Sequence, residues 1–142
     1  MKSSLTIKDR MIRSVSMRRS EIILRSDFER MGSQSQISRV LGDFVREGRL
    51  VRIGHGVFAK ARMSSLSGKP VPRQPLEVLA SETLRRLNIE ASGGQAEVEY
   101  ATGRSTQVPV QTTFNTGQRR ISRKLIIGKR SIRYENDYSA RA

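Results

Sequence analysis

Apolar residues in the first third of the chain change their spacing three times, and each change marks an element. Ile7, Met11 and Val15 recur every four residues, which predicts a helix over roughly Thr6–Ser16. The stretch EIILR, residues 21–25, is a short continuous apolar run suited to a buried strand. In SDFERMG, residues 26–32, Ser26 stands three positions before Glu29. That is the spacing of a capping box, and Gly32 supplies a left-handed stop, so a short helix is expected. The signal repeats at once, with Ser33 as cap and Gln36 at the third helical position. Ile37, Val40, Leu41, Phe44 and Val45 then form one stripe of a helix over 34–47 that Gly48 ends. Its opposite face carries Ser35, Arg39, Gly42 and Arg46, with Gln36 and Asp43 on the flank. RLVRI (49–53) and VFAKA (57–61) bracket Gly54-His55-Gly56, a three-residue hairpin loop.

A composition shift follows. SSLSGKPVPRQP, residues 64–75, holds three of the four prolines, and because proline fixes φ and lacks a donor, a linker is expected there. Beyond it, PLEVLASETLRRLN (75–88) has an amphipathic helical pattern with Pro75 tolerated at the first position. Residues 94–103 fit a short helix or a strand, and 106–110 is extended, with Pro109 arguing for an edge. RISRKLIIGKRSIRYE (120–135) predicts a hairpin turning at Gly128-Lys129. The fold class expected is α+β: residues 1–63 as a winged helix-turn-helix, 64–75 as linker, and 76–142 as a small α+β domain with a basic β-hairpin.

Charge turns this pattern towards a partner. The 142 residues carry 27 Lys and Arg against 13 Asp and Glu, net +14. Both halves share it: 14 basic and 6 acidic residues over 1–66, and 13 and 7 over 67–142. An anionic polymer is the first candidate, nucleic acid above all. The absence of cysteine excludes disulfides, thiolate zinc sites and thiol catalysis, and fits a reducing cytoplasm. No apolar run reaches the ~18 residues of a bilayer span, so no membrane partner is expected. The Arg- and Ser-rich beginning raises a transit peptide, but its four-residue periodicity favours a structural helix.

Candidate catalytic chemistry is sparse. His55 is the only histidine, which excludes a Ser–His–Asp triad and a histidine metal cluster. SGKP, residues 67–70, lacks the spacing of a phosphate loop, and Glu97 and Glu99 lack a third acid for a two-metal nuclease. A non-enzyme without cofactor is expected.

Polar groups at the start of a second helix are where helix-turn-helix proteins read base edges, arginine to guanine and amides to adenine. Ser33, Gln34, Ser35, Gln36 and Arg39 are therefore the candidate base contacts. Ser38, Arg46, Arg49, Arg52, His55, Lys60 and Arg62, on the helix flank and the hairpin, are the candidate phosphate contacts. Arg119, Arg120, Arg123, Lys124, Lys129, Arg130 and Arg133 form a second basic surface, which extends the DNA contact, binds RNA, or guards a sheet edge. The expected function is a sequence-specific DNA-binding regulator acting on operator duplex as a monomer or homodimer. A basic RNA-binding or ribosome-associated protein, and a phage or mobile-element regulator without antitoxin activity, remain alternatives. RNA readers usually show stacking aromatics, and this chain has four Phe and three Tyr.

LRSDFERMGSQSQISRVLGDFVREGRLVRIGHGVFAKAR, residues 24–62, resembles the N-terminal winged-helix domain of AbiEi-type antitoxins of bacterial type IV toxin–antitoxin systems. The residues that carry the likeness are Asp27-Phe28, Gly32-Ser33, Leu41, Val45, Gly48, Leu50, Arg52, Gly56 and Val57-Phe58, with Phe58 where tyrosine is usual. STQVPVQTTFNTGQRRISRKLIIGKRSIRYE, residues 105–135, resembles the tail of a shorter, basic branch near these antitoxins. The resemblance implies operator binding, repression of the protein's own operon, and a functional link to a nucleotidyltransferase-like toxin without a stable complex.

Overall fold

Reciprocal caps open the first two helices. In α1 (Ile7–Met17) the Asp9 amide donates to Thr6 Oγ1 and the Thr6 amide to Asp9 Oδ2, each at 3.1 Å. In α2 (Gln34–Arg46) the Gln36 amide donates to Ser33 Oγ at 3.2 Å and the Ser33 amide to Gln36 Oε1 at 2.9 Å. The computed structural model describes residues 5–93 and 112–136. It is mixed α+β, with three α-helices and two four-stranded sheets among the described residues, and the chain divides into two units, 1–74 and 75–142.

In the first unit, strand β1 (Ile22–Leu24) is buried at all three residues. The expected helix over 26–32 is a single 3-10 turn, Arg25–Phe28. Asp27, not Glu29, closes it: its Oδ2 accepts the Leu24 amide at 2.9 Å, so the carboxylate one residue after Ser26 reaches an orphan donor first. Gly32 does not take the left-handed conformation expected of it. It is there for closeness: a Cβ would stand 2.9 Å from Ile7 Cδ1 of α1. Gly48 does end α2 as expected, with φ +76; its amide and that of Arg49 turn back to the carbonyls of Val45 and Phe44 at 3.2 and 2.9 Å.

Strands β2 (Leu50–Gly54) and β3 (Val57–Met63) form a hairpin. Gly54 pairs with Val57, so the loop is the two residues His55–Gly56 rather than three, with Gly56 alone at positive φ (+67) and an irregularity in the ladder between Arg52 and Gly54. Strand β1 pairs with the start of β3, and β4 (Pro70–Pro72) with its end. This last strand stands where a linker is expected. Ser64 donates to the Lys69 carbonyl and Arg73 to the Lys60 carbonyl, at 2.9 and 3.3 Å. The alternation of an antiparallel ladder then puts Pro70 and Pro72 at its non-bonded positions, where a missing N–H costs no hydrogen bond.

Against this sheet α2 buries Ile37, Val40, Leu41 and Phe44, which meet Met11, Ile23, Phe28, Leu50 and Phe58 in one core. Val45, expected in the same stripe, is 37% exposed. In the second unit α3 (Leu76–Arg86) is capped at Leu87 and followed by Asn88, whose φ is +59. Strands β5 (Ser92–Gly93), β6 (Thr112–Asn115), β7 (Ile126–Ile127) and β8 (Arg130–Glu135) lie in the order β5-β6-β8-β7, with β6 and β8 parallel. The hairpin predicted at Gly128-Lys129 joins β7 to β8. The segments 94–103 and 106–110 lie outside the described residues. Among the described residues no helix is long and apolar enough to cross a membrane.

Candidate nucleic-acid interface

An open groove of about 690 Å³ runs between α2 and the β2–β3 turn. Gln34, Ser38, Gly42, Val45 and Arg46 bring one edge of α2 to it; Arg52, His55, Gly56 and Phe58 bring the hairpin; Arg25 closes one end. Three guanidinium groups and an imidazole line it, and no carboxylate does. The two acids at the end of α2, Asp43 and Glu47, are each paired with a cation. Glu47 accepts from Lys8 of α1 at 2.6 Å, and Asp43 lies 3.8 Å from the same ammonium and pairs with Arg46. The Lys8 hydrogen bond holds the Glu47 carboxyl below its usual range, and Asp43 touches the groove only through its pair with Arg46. These are surface pairs, screened by solvent. The Lys8–Glu47 pair lies off the groove, whereas Asp43 partly neutralises Arg46 on its wall.

Arg25 was not among the sequence candidates, yet it ties the groove together. Its amide donates to the Gly56 carbonyl at 3.0 Å, and its guanidinium donates to the Gln34 carbonyl at 2.9 Å. One residue thus fixes the hairpin turn against the first turn of α2. No local pattern could have found it, because the partners lie nine and more residues away and meet only when β1 pairs with β3.

The candidate base contacts separate. Ser33, Gln34, Ser35, Gln36 and Arg39 are all exposed at or near the start of α2. Ser33 Oγ and Gln36 Oε1 are used in the cap, and Ser35 Oγ lies 3.2 Å from Ser33 Oγ. A bidentate amide contact to adenine needs both the oxygen and the nitrogen. With its oxygen committed, Gln36 keeps only its NH₂ for a ligand. Arg39 sits about 60° around the helix from Gly42, on the outer face, beside the groove rather than in it.

The candidate phosphate contacts separate too. Ser38, Arg46, Arg52 and His55 line the groove. Lys60 does not: its ammonium donates to the Arg18 carbonyl at 2.5 Å, and with Arg49 it lines another hollow, beside Ile12, Val15 and Arg73. Arg49 also pairs with Glu47 at 3.3 Å. Arg62 is exposed near the end of β3, away from the turn.

In the second unit the residues of the basic run have different partners. Arg119 donates to the Asn88 carbonyl at 3.1 Å, and Arg130 pairs with Glu77. Arg123, Lys124 and Arg133 line a hollow with Ser122, Ser131 and Tyr134, Arg120 is exposed in the loop before β7, and Lys129 sits in the hairpin turn.

A comparison with curated proteins finds no match to this chain. A comparison with protein families does find one, and it spans nearly the whole sequence: residues 7–140 match the family of unknown function DUF6088, to which the chain therefore belongs.

Proposed function

We propose that this protein is a DNA-binding regulator whose first unit acts as a winged helix-turn-helix, with α2 as the recognition helix and the β2–β3 hairpin as the wing. The observation that carries the reading is the acid-free groove between the two, rimmed by Arg25, Arg46, Arg52 and His55. A polyanion is the complementary ligand, and a groove beside a helix face fits one strand of a duplex better than it fits a small anion. The exposed start of α2 then meets base edges, with Arg39 as the principal reader. The net charge of +14 supports the same partner. The AbiEi resemblance narrows the proposal to an autorepressing antitoxin in the cytoplasm, working opposite a nucleotidyltransferase-like toxin. Co-expression with a toxin encoded beside it tests that narrower reading: survival supports it and growth arrest refutes it.

The broader reading is tested by fluorescence anisotropy with a labelled duplex from upstream of the protein's own coding sequence and a shuffled duplex of the same length. The protein is expected to prefer the first. Arg46→Gln with Arg52→Gln should flatten the plot of log K against log salt by about 2, because each phosphate contact contributes roughly 0.9. Equal affinity for both duplexes removes the regulator; an unchanged slope removes the groove.

A further inference from the structure

We infer that Gly42 marks the closest approach of the DNA strand, whose sugar–phosphate backbone passes over it with a deoxyribose face against Val45. The inference rests on the DNA-binding reading of the groove and adds which part of the duplex enters it and where it touches.

The starting point is a glycine the fold does not need. Glycine is the poorest residue for a helix interior after proline, and Gly42 lies in the middle of α2. Two neighbouring glycines have reasons within the chain. Gly32 makes room for Ile7, and Gly48 combines φ +76 with a Pro70 carbon 3.1 Å from where a Cβ would be. Gly42 has neither. Its φ is not positive, and a Cβ there would meet only the far end of the Arg46 side chain, at 3.5 Å, an ordinary contact with a group that moves easily. What a Cβ would do is narrow the groove, since Gly42 forms part of its wall.

The surroundings select the occupant. Arg46 and Arg52 stand at the rim as partners for phosphate oxygens. The same wall is apolar at Val45, which is 37% exposed although it is a large aliphatic residue in a helix with a well-formed core face. A strand of DNA presents both kinds of group: charged phosphates separated by deoxyribose rings with apolar faces. A base edge offers an apolar face only at the thymine methyl, and it has no anionic oxygens for Arg46 and Arg52. An acidic peptide has the charge but not the regular apolar spacing. Backbone atoms of a ligand approach a helix most closely where there is no side chain, so the strand crosses at Gly42.

The test uses the full chain and the duplex from upstream of its coding sequence. Gly42→Ala is expected to raise the thermal midpoint of the first unit by several degrees, because helix propensity improves and nothing clashes. The same change should weaken duplex binding about tenfold. Val45→Thr, nearly the same shape but polar, should weaken binding several-fold with little change in the midpoint. Stabilisation together with weakened binding is a combination that damage to the fold does not produce. If Gly42→Ala binds as wild type while Arg46→Gln with Arg52→Gln is impaired, the groove still binds DNA but the strand does not cross at Gly42, and the inference fails alone. If the arginine variant also binds as wild type, the groove reading fails and the inference with it.

Discussion

Gly48→Ala offers a worked test of how the first unit is closed. Two separate costs meet at this residue. Its φ of +76 is a conformation in which an L side chain costs about 1–2 kcal/mol. In addition, the new Cβ would sit 3.1 Å from Pro70 Cγ, a ring atom with little freedom to move, and such overpacking costs about 1–3 kcal/mol. The sum is roughly 2–5 kcal/mol, a large share of the stability of a unit this size. Only the second cost depends on β4 being folded onto β3. In a Pro70→Ala background the penalty should therefore fall to about 1–2 kcal/mol, leaving the conformational part. The assay must see the first unit, and tyrosine fluorescence does not, because Tyr100, Tyr134 and Tyr138 all lie beyond it. Hydrogen exchange of the buried α2 amides, Ile37 to Phe44, reads the opening free energy directly. The expected result is protection reduced by roughly 30- to 4,000-fold in Gly48→Ala and partly restored by Pro70→Ala. An identical penalty in both backgrounds would mean that Pro70 does not lie over Gly48, and that residues 64–75 are the free linker their prolines suggest.

Arg52→Gln should lower the salt slope of DNA binding by about 1, whereas Lys60→Gln should leave it unchanged because its ammonium is held by the Arg18 carbonyl; equal effects would put both faces of the sheet against DNA. Arg39→Ala is expected to cost about 1–3 kcal/mol on the preferred site and little on a shuffled duplex, and equal weakening on both would reduce it to a phosphate contact. In the second unit, Glu77 is held below the usual carboxylate range, first by its own backbone N–H and then by hydrogen bonds from Arg130 and Thr112. A lowered pKa stabilises the fold above the ordinary glutamate value and is lost as pH falls through the folded one. Tyrosine fluorescence melts of Glu77→Gln should accordingly show a shallower loss of stability on acidification than wild type; parallel acid limbs would remove that network from the stability of the unit.

Much of the first unit is legible in the sequence because its signals are local. Ser33 and Gln36 lie three apart and cap α2 as their spacing requires, and Gly48 ends the helix where the apolar stripe stops. The same rule misreads Ser26 and Glu29, because Asp27 competes for a neighbouring amide and wins by position. Strand β4 is hidden for a different reason. Its prolines argue against a strand until the register shows them at non-bonded positions of an edge, and register is a tertiary property. The site follows the same division. The exposed face of α2 is readable from helical periodicity, but which edge faces the hairpin is not, so Gly42 and Val45 emerge as wall residues only in three dimensions. Gln36 shows the limit of reading residue types alone: the amide that suits adenine is also the amide that completes the cap.

The most direct test is a titration of the ¹⁵N-labelled full chain with the upstream duplex, followed amide by amide. The account predicts that Gln34, Ser38, Gly42, Arg46, Arg52, His55 and Gly56 shift first and most, while Arg49, Lys60 and Arg73 in the other hollow of the same unit stay in place. Shifts confined to that second hollow or to the second unit, with the α2 and hairpin amides unmoved, would contradict it.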